Sequence, residues 1–139
     1  MTSTIIPGLR YVDAPAEIEF LVNAFGFARH AVYADEREPS LILHAQLTLN
    51  GGMIMLGSAR PGPQDLYPWR TPAEAGGVTT SLYVVVPDAD AHAAVARAAG
   101  AHILDGPKDN EGYPGRGYSA RDPEGFIWSF GTYDPWKAP

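Results

Sequence analysis

No cysteine occurs in the 139 residues, which removes disulfides, thiolate nucleophiles and every zinc or iron–sulfur site built on thiolates. Long apolar runs are missing too, and none approaches the ~20 residues that a bilayer-spanning helix needs. The opening Met1-Thr2-Ser3-Thr4-Ile5-Ile6-Pro7 has neither a basic start nor an extended apolar stretch. It does not read as a targeting signal, so the expected location is the cytoplasm. Positive charge is scarce. Ten Lys plus Arg stand against sixteen Asp plus Glu, a formal net charge of −6. That balance argues against nucleic acid or an anionic membrane surface as the partner. Hydrophobic residues make up 45% and charged residues 19%, a composition that suits one globular domain of ordinary size. Glycine (15) and proline (13) predict many tight turns between short strands.

The first half reads as strand, helix, then three strands. From Ile5 to Val12, Leu9 and Tyr11 share one face while Gly8, Arg10 and Val12 share the other. Asp13 is placed to cap a helix with Pro15 and Glu17 in its first turn; Ile18, Leu21, Val22 and Phe25 form its apolar stripe, and Gly26 its stop. Arg29 to Ala34 suits a second strand, and Leu41 to Leu49 alternates cleanly. Asn50-Gly51 then predicts a hairpin into a strand from Met53 to Leu56. The second half repeats the pattern: a strand over Thr80 to Val86, an alanine-rich helix from Asp88 to Gly100, and a short strand from Ile103 to Asp105. Strands from Tyr118 to Arg121 and Phe126 to Phe130 follow, joined by the turn Asp122-Pro123-Glu124-Gly125.

Three landmarks test the repeat. The helix stops Gly26 and Gly100 lie 74 residues apart, the caps Asp13 and Asp88 lie 75 apart, and the last strands start 73 apart at Met53 and Phe126. One shared offset predicts two β-α-β-β-β modules, about 1–58 and 78–139, joined by a linker at 59–77. Four prolines with Tyr67 and Trp69 make that linker too aromatic to be idle. Each module has four strands and one helix, so one sheet face stays uncovered and concave. The expected fold is α+β, with two modules forming a curved, barrel-like sheet around a cleft and helices on the outer face.

With this repeat, the segment Leu82-Tyr83-Val84-Val85-Val86-Pro87-Asp88 and the closing Gly117-Tyr118-Ser119-Ala120-Arg121-Asp122-Pro123-Glu124-Gly125-Phe126-Ile127-Trp128-Ser129-Phe130-Gly131, the chain resembles the vicinal oxygen chelate superfamily. That superfamily includes glyoxalase I, extradiol dioxygenases and bleomycin-resistance proteins. The resemblance implies that metal-dependent members hold one divalent ion in the cleft through His, Gln or Glu on the first and later strands. The matching positions here are Ile6, Gln46, Ser81 and Ser129, with His44 two residues from Gln46 on the same strand face. Isoleucine cannot coordinate, and serine and glutamine are weak neutral donors for a cation that must replace its hydration shell. No metal and no other cofactor is expected.

Strand alternation then names the cleft lining. Arg10, Ile42, His44, Gln46, Thr48, Ser81, Tyr83, Val85, Ile127 and Ser129 share the vacated face, while Leu82, Val84, Trp128 and Phe130 belong to the core. His92 and His102 read as surface or boundary residues. Gly112 to Gly117 lacks phosphate-loop spacing and precedes a strand, and no serine-hydrolase elbow is present. The expected ligand-binding set is Arg10, His44, Gln46, Trp69, Ser81, Tyr83, Tyr113 and Ser129, with no catalytic residue assigned. Arg10 would meet an anionic or carbonyl group, and Tyr67, Trp69 and Tyr113 would supply stacking walls.

Three functional readings are weighed. The first is a metal-free protein that binds or sequesters a small organic molecule, resembling the drug-binding branch of the superfamily, usually as a homodimer; the net charge of −6 would favour cationic antibiotics. The alternative is a metal-dependent lyase, isomerase or dioxygenase that recruits His44 and an acid from a partner chain. A metal-free enzyme using His44 or Tyr118 as acid–base is a third reading.

Overall fold

The computed structural model describes residues 2–60 and 67–137. Module 1 runs β1 (Gly8–Tyr11), α1 (Ala14–Phe20) continuing into a π-helical turn (Leu21–Phe25), β2 (Ala28–Ala34), β3 (Ile42–Leu49) and β4 (Gly52–Ser58). Module 2 runs β5 (Leu82–Val85), α3 (Ala89–Ala98), β6 (His102–Asp109), β7 (Arg116–Arg121) and β8 (Ile127–Gly131). A short helix α2 (Pro72–Ala75) lies between them. The strand orders β1-β4-β3-β2 and β5-β8-β7-β6 are the same permutation, and in each the first strand runs parallel to the last. The repeat read from three spacings is therefore a repeat of topology. The sheets are curved but not closed into a barrel, and among the described residues no ladder joins one to the other.

Local chemistry explains the boundaries. The Asp13 carboxylate accepts from Ala16 N and that of Asp88 from Ala91 N, satisfying helix donors that have no intrahelical partner. Asn50 (φ 49°) and Gly51 (φ 83°) both take the left-handed conformation that a two-residue hairpin turn requires. In the last turn Gly125 N donates to Asp122 O at 3.0 Å, and Asp122 Oδ1 accepts from Glu124 N and Phe126 N. The linker holds α2, a helix that the sequence reading leaves out. Thr71 and Glu74 close a reciprocal capping box around Pro72 at the first position.

One core serves both modules. Phe25, at the end of the π-helical turn, packs on Trp128 (5.4 Å between ring centroids) and Phe130 (4.7 Å), and Phe27 also meets Trp128. Above this apolar contact sits a polar junction. Tyr11 O–H donates to Asp122 Oδ2 at 2.7 Å, Trp128 Nε1 donates to the same oxygen at 3.1 Å, and the Glu124 carboxylate accepts from Val12 N and Asp13 N. One expected cleft residue moves. Between Tyr33 and Ala34 the β2–β3 register slips, with Tyr33 opposite His44 but Ala34 opposite Ile42. The extra residue of this bulge turns Ile42 into the core, where it is 5% exposed.

Candidate functional site

The uncovered face of module 1 is laid out by register. Arg10 pairs with Gly57, Leu56 with Ala45, and His44 with Tyr33, so Arg10 and His44 lie on one face of the sheet, on β1 and β3 with β4 between them. The intervening strand carries Gly57, where a Cβ would lie 3.2 Å from the Leu43 carbonyl oxygen. His44 is braced on both sides. Tyr33 stacks on its ring with centroids 6.2 Å apart, and the Gln46 amide lies 3.1 Å from its Nε2. An amide N–H at that distance donates to the Nε2 lone pair and holds the ring in place. The family resemblance and strand alternation point to Gln46 and His44 in the sequence; the place of Tyr33 beside His44 depends on strand pairing.

The linker supplies the wall. Trp69 lies over β1, with the Arg10 guanidinium 4.8 Å from its ring centroid and its Cη2 4.0 Å from the point where a Cβ on Gly8 would sit. Arg10 also donates to the Ser58 carbonyl at 3.5 Å. Trp69 divides two cavities, both bordered by Arg10, Pro68 and Arg70. One, of 560 Å³, adds Arg60, Tyr67 and Glu74; the other, of 360 Å³, reaches Gly8, Val78 and Phe126. Volumes of this order suit a drug-sized ligand.

In module 2, Tyr83 and Ser129 are register partners, and Ser81 precedes β5 on the same face. Tyr83 lies across Gly131 and donates its O–H to the Tyr133 carbonyl at 2.7 Å. A Cβ on Gly131 would sit 2.6 Å from the Tyr83 hydroxyl, so only glycine permits this crossing. Burial, and the nearby Tyr113, Asp134 and Tyr133, push the Tyr83 phenol above its ordinary value. Tyr113 packs edge-on against Tyr133 at 5.1 Å. Ser81 and Tyr83 also line a 420 Å³ cavity with Ile5, Pro7, Met53 and Trp128, between the two sheets. The expected set thus falls into three groups: Arg10 with Trp69, His44 with Gln46, and Ser81, Tyr83 and Ser129 with Tyr113 near by.

Gln46, Ser81 and Ser129 offer neutral oxygens or an amide, on two separate sheets, and Ile6 offers none. This donor set does not fit a divalent cation, which needs anionic or imidazole ligands gathered at one point. Among the described residues no group of three His, Asp or Glu side chains is placed to hold a metal ion.

Two polar features were not read from the sequence. His92 is half-buried, with Nε2 2.8 Å from the Phe25 carbonyl and Nδ1 on the Tyr118 hydroxyl. A carbonyl only accepts, so Nε2 carries the proton and Tyr118 donates to Nδ1. Burial lowers the His92 pKa and raises that of Tyr118, and this pair ties α3 to the end of the module 1 helix. Glu17 is 2% exposed, and its Oε2 has no hydrogen-bond partner. Burial, reinforced by Asp122 and Glu124, pushes its pKa up to about 9. Its place in the first turn of α1 does not reveal this burial, because Asp122 and Glu124 come from the other module.

The family model for the Glyoxalase/Bleomycin resistance protein/Dioxygenase superfamily matches residues 6–130. No curated protein sequence matches the chain. Among solved structures, TioX from Micromonospora sp. ML1 is 30% identical, with 93% of this chain and 97% of that one covered at a TM-score of 0.72. UcmS2 is 15% identical, with coverage of 96% and 100% and a TM-score of 0.71. The fosfomycin resistance protein FosX from Listeria monocytogenes, solved with Mn(II) and sulfate ion, is 12% identical, with coverage of 98% and 96% and a TM-score of 0.67. By the extent of the model match, and by the likeness to TioX over nearly its whole length, the chain belongs to the Glyoxalase/Bleomycin resistance protein/Dioxygenase superfamily.

Proposed function

We propose that the protein binds a small organic molecule on the uncovered sheet faces, without a metal ion, and acts by sequestering it. The observation that carries this reading is the Trp69 wall: an indole stacked on Arg10 and flanked by two cavities, on the same sheet face as the His44–Gln46 pair. Stacking surface with a few polar groups is what a binding site for a planar ligand requires. The neutral residues at Gln46, Ser81 and Ser129 favour binding over Lewis-acid chemistry.

A homodimer is part of the reading. Each module presents half of a cup, and Tyr33, Leu43, Tyr83 and Val85 leave apolar surface exposed on or beside these faces. A second copy that brings its module 2 face to module 1 would unite Arg10, His44 and Gln46 with Ser81, Tyr83 and Ser129. Native mass spectrometry of the purified protein, combined with elemental analysis, tests both parts. The expected species is a dimer of metal-free chains. A stoichiometric divalent ion lost in His44→Ala would establish the metal-dependent enzyme instead, and a monomer at micromolar concentration would remove the shared cup.

A further inference from the structure

We infer that the 560 Å³ cavity between β1 and the 67–74 segment selects a planar aromatic ligand that carries an anionic group, a carboxylate, sulfonate or phenolate. This deepens the binding function proposed above and rests on it. The chain's net charge of −6 would favour a cationic ligand; the charges around this cavity point the other way.

Among the described residues, the guanidinium groups of Arg10, Arg60 and Arg70 border the cavity, against one carboxylate, Glu74. Arg10 is the floor, fixed by Trp69 and the Ser58 carbonyl. The charge offered to a ligand comes from Arg60 and Arg70 at the rim. Arg70 is anchored by donating Nη1 to the Trp69 carbonyl at 2.8 Å, which uses one of its five N–H donors and none of its charge. Among the described residues, Arg29, Arg116, Lys108 and Lys137 are paired with carboxylates elsewhere on the surface, whereas no ion pair involves Arg60 or Arg70. The opposing Glu74 is already committed. Its carboxylate accepts from Thr71 N at 3.1 Å and Thr71 Oγ1 at 3.0 Å, and these bonds hold its pKa below the ordinary value. A planar anion can stack on Trp69, with Tyr67 standing nearly perpendicular at 84° to that ring, and direct its charged edge to the two rim guanidinium forks, which match the geometry of carboxylate and sulfonate oxygens. A planar cation would meet the same wall with its charge against like charge.

A matched pair of fluorescent probes tests this: 1-anilinonaphthalene-8-sulfonate and its uncharged parent, N-phenyl-1-naphthylamine. Both are titrated into the unsubstituted protein, into Arg60→Gln/Arg70→Gln, and into Trp69→Ala, with Trp69→Phe as the conservative control for folding. The sulfonate is expected to bind about five- to tenfold more tightly than the parent. That preference should shrink below about twofold in the double variant or in 0.5 M salt, where exposed charges are screened. Trp69→Ala should weaken both probes. If Trp69→Ala weakens neither probe, the binding site itself is misplaced and the proposed function falls. If Trp69→Ala weakens both but the uncharged parent binds as tightly as the sulfonate, or the double variant keeps the preference, only the anion selectivity is overturned.

Discussion

Glu17 shows how one side chain sets a pH dependence for the whole fold. In the native protein it keeps its proton up to about pH 9, because ionising it would place a charge in a buried site beside Asp122 and Glu124. The unfolded chain releases that proton near the ordinary glutamate value of 4.5. Between these limits the unfolded state binds fewer protons than the native state, so the contribution of Glu17 to stability is fully present below about pH 4.5 and declines as pH rises toward 9. The slope is at most about 1.4 kcal/mol per pH unit. Glu17→Gln keeps the shape and removes the titration. Its melting temperature should exceed that of the parent at pH 8 and approach it at pH 4.5, both measured by scanning calorimetry. An equal difference at the two pH values would show that Glu17 does not carry this slope.

At the scale of elements, the end of β8 is shaped for a side chain from β5. Gly131→Ala would put a Cβ 2.6 Å from the Tyr83 hydroxyl, so the ring must swing away and give up its bond to the Tyr133 carbonyl. The expected loss is about 1–3 kcal/mol. Tyr83→Phe removes the clashing oxygen, so Gly131→Ala should cost less in that background; chemical denaturation of the four proteins of the cycle measures the difference. Equal costs in the two backgrounds would mean that the tyrosine does not need the glycine.

The elements that could be read in the sequence are those whose signals are local. Asp13, Gly26, Asp88, Asn50-Gly51 and Asp122-Pro123-Glu124-Gly125 each act within a few residues, and each has the hydrogen bond or dihedral that its type demands. The candidate site is legible to the extent that it follows strand alternation, which brings His44 beside Gln46 and Tyr83 onto the face of Ser129. What alternation missed depends on pairing between segments: the bulge that turns Ile42 inward, the stack of Tyr33 on His44, and the His92 bonds to Phe25 and Tyr118. Local charge is not legible in the whole-chain sum either. A sum over 139 residues carries no information about where Arg60 and Arg70 stand.

At the scale of the molecule, the two modules are bound by their helix-covered faces rather than by a shared sheet. Phe25 and Phe27 of module 1 pack on Trp128 of module 2, and Asp122 of module 2 takes the hydroxyl of Tyr11 of module 1. Neither module can keep its side of this core when the other unfolds, because Trp128 and Phe25, both fully buried, would be exposed together. Unfolding should therefore be a single transition, even though the repeat suggests two independent halves. Tyr11→Phe probes the coupling from the polar side. It leaves Asp122 Oδ2 with only the Trp128 indole as a donor and costs about 1–3 kcal/mol. In hydrogen exchange at one fixed protein concentration, amides of β3 and β7 should lose protection by the same factor in this variant. If β3 amides of module 1 are weakened while β7 amides of module 2 keep their protection, the modules unfold separately and the junction does not couple them.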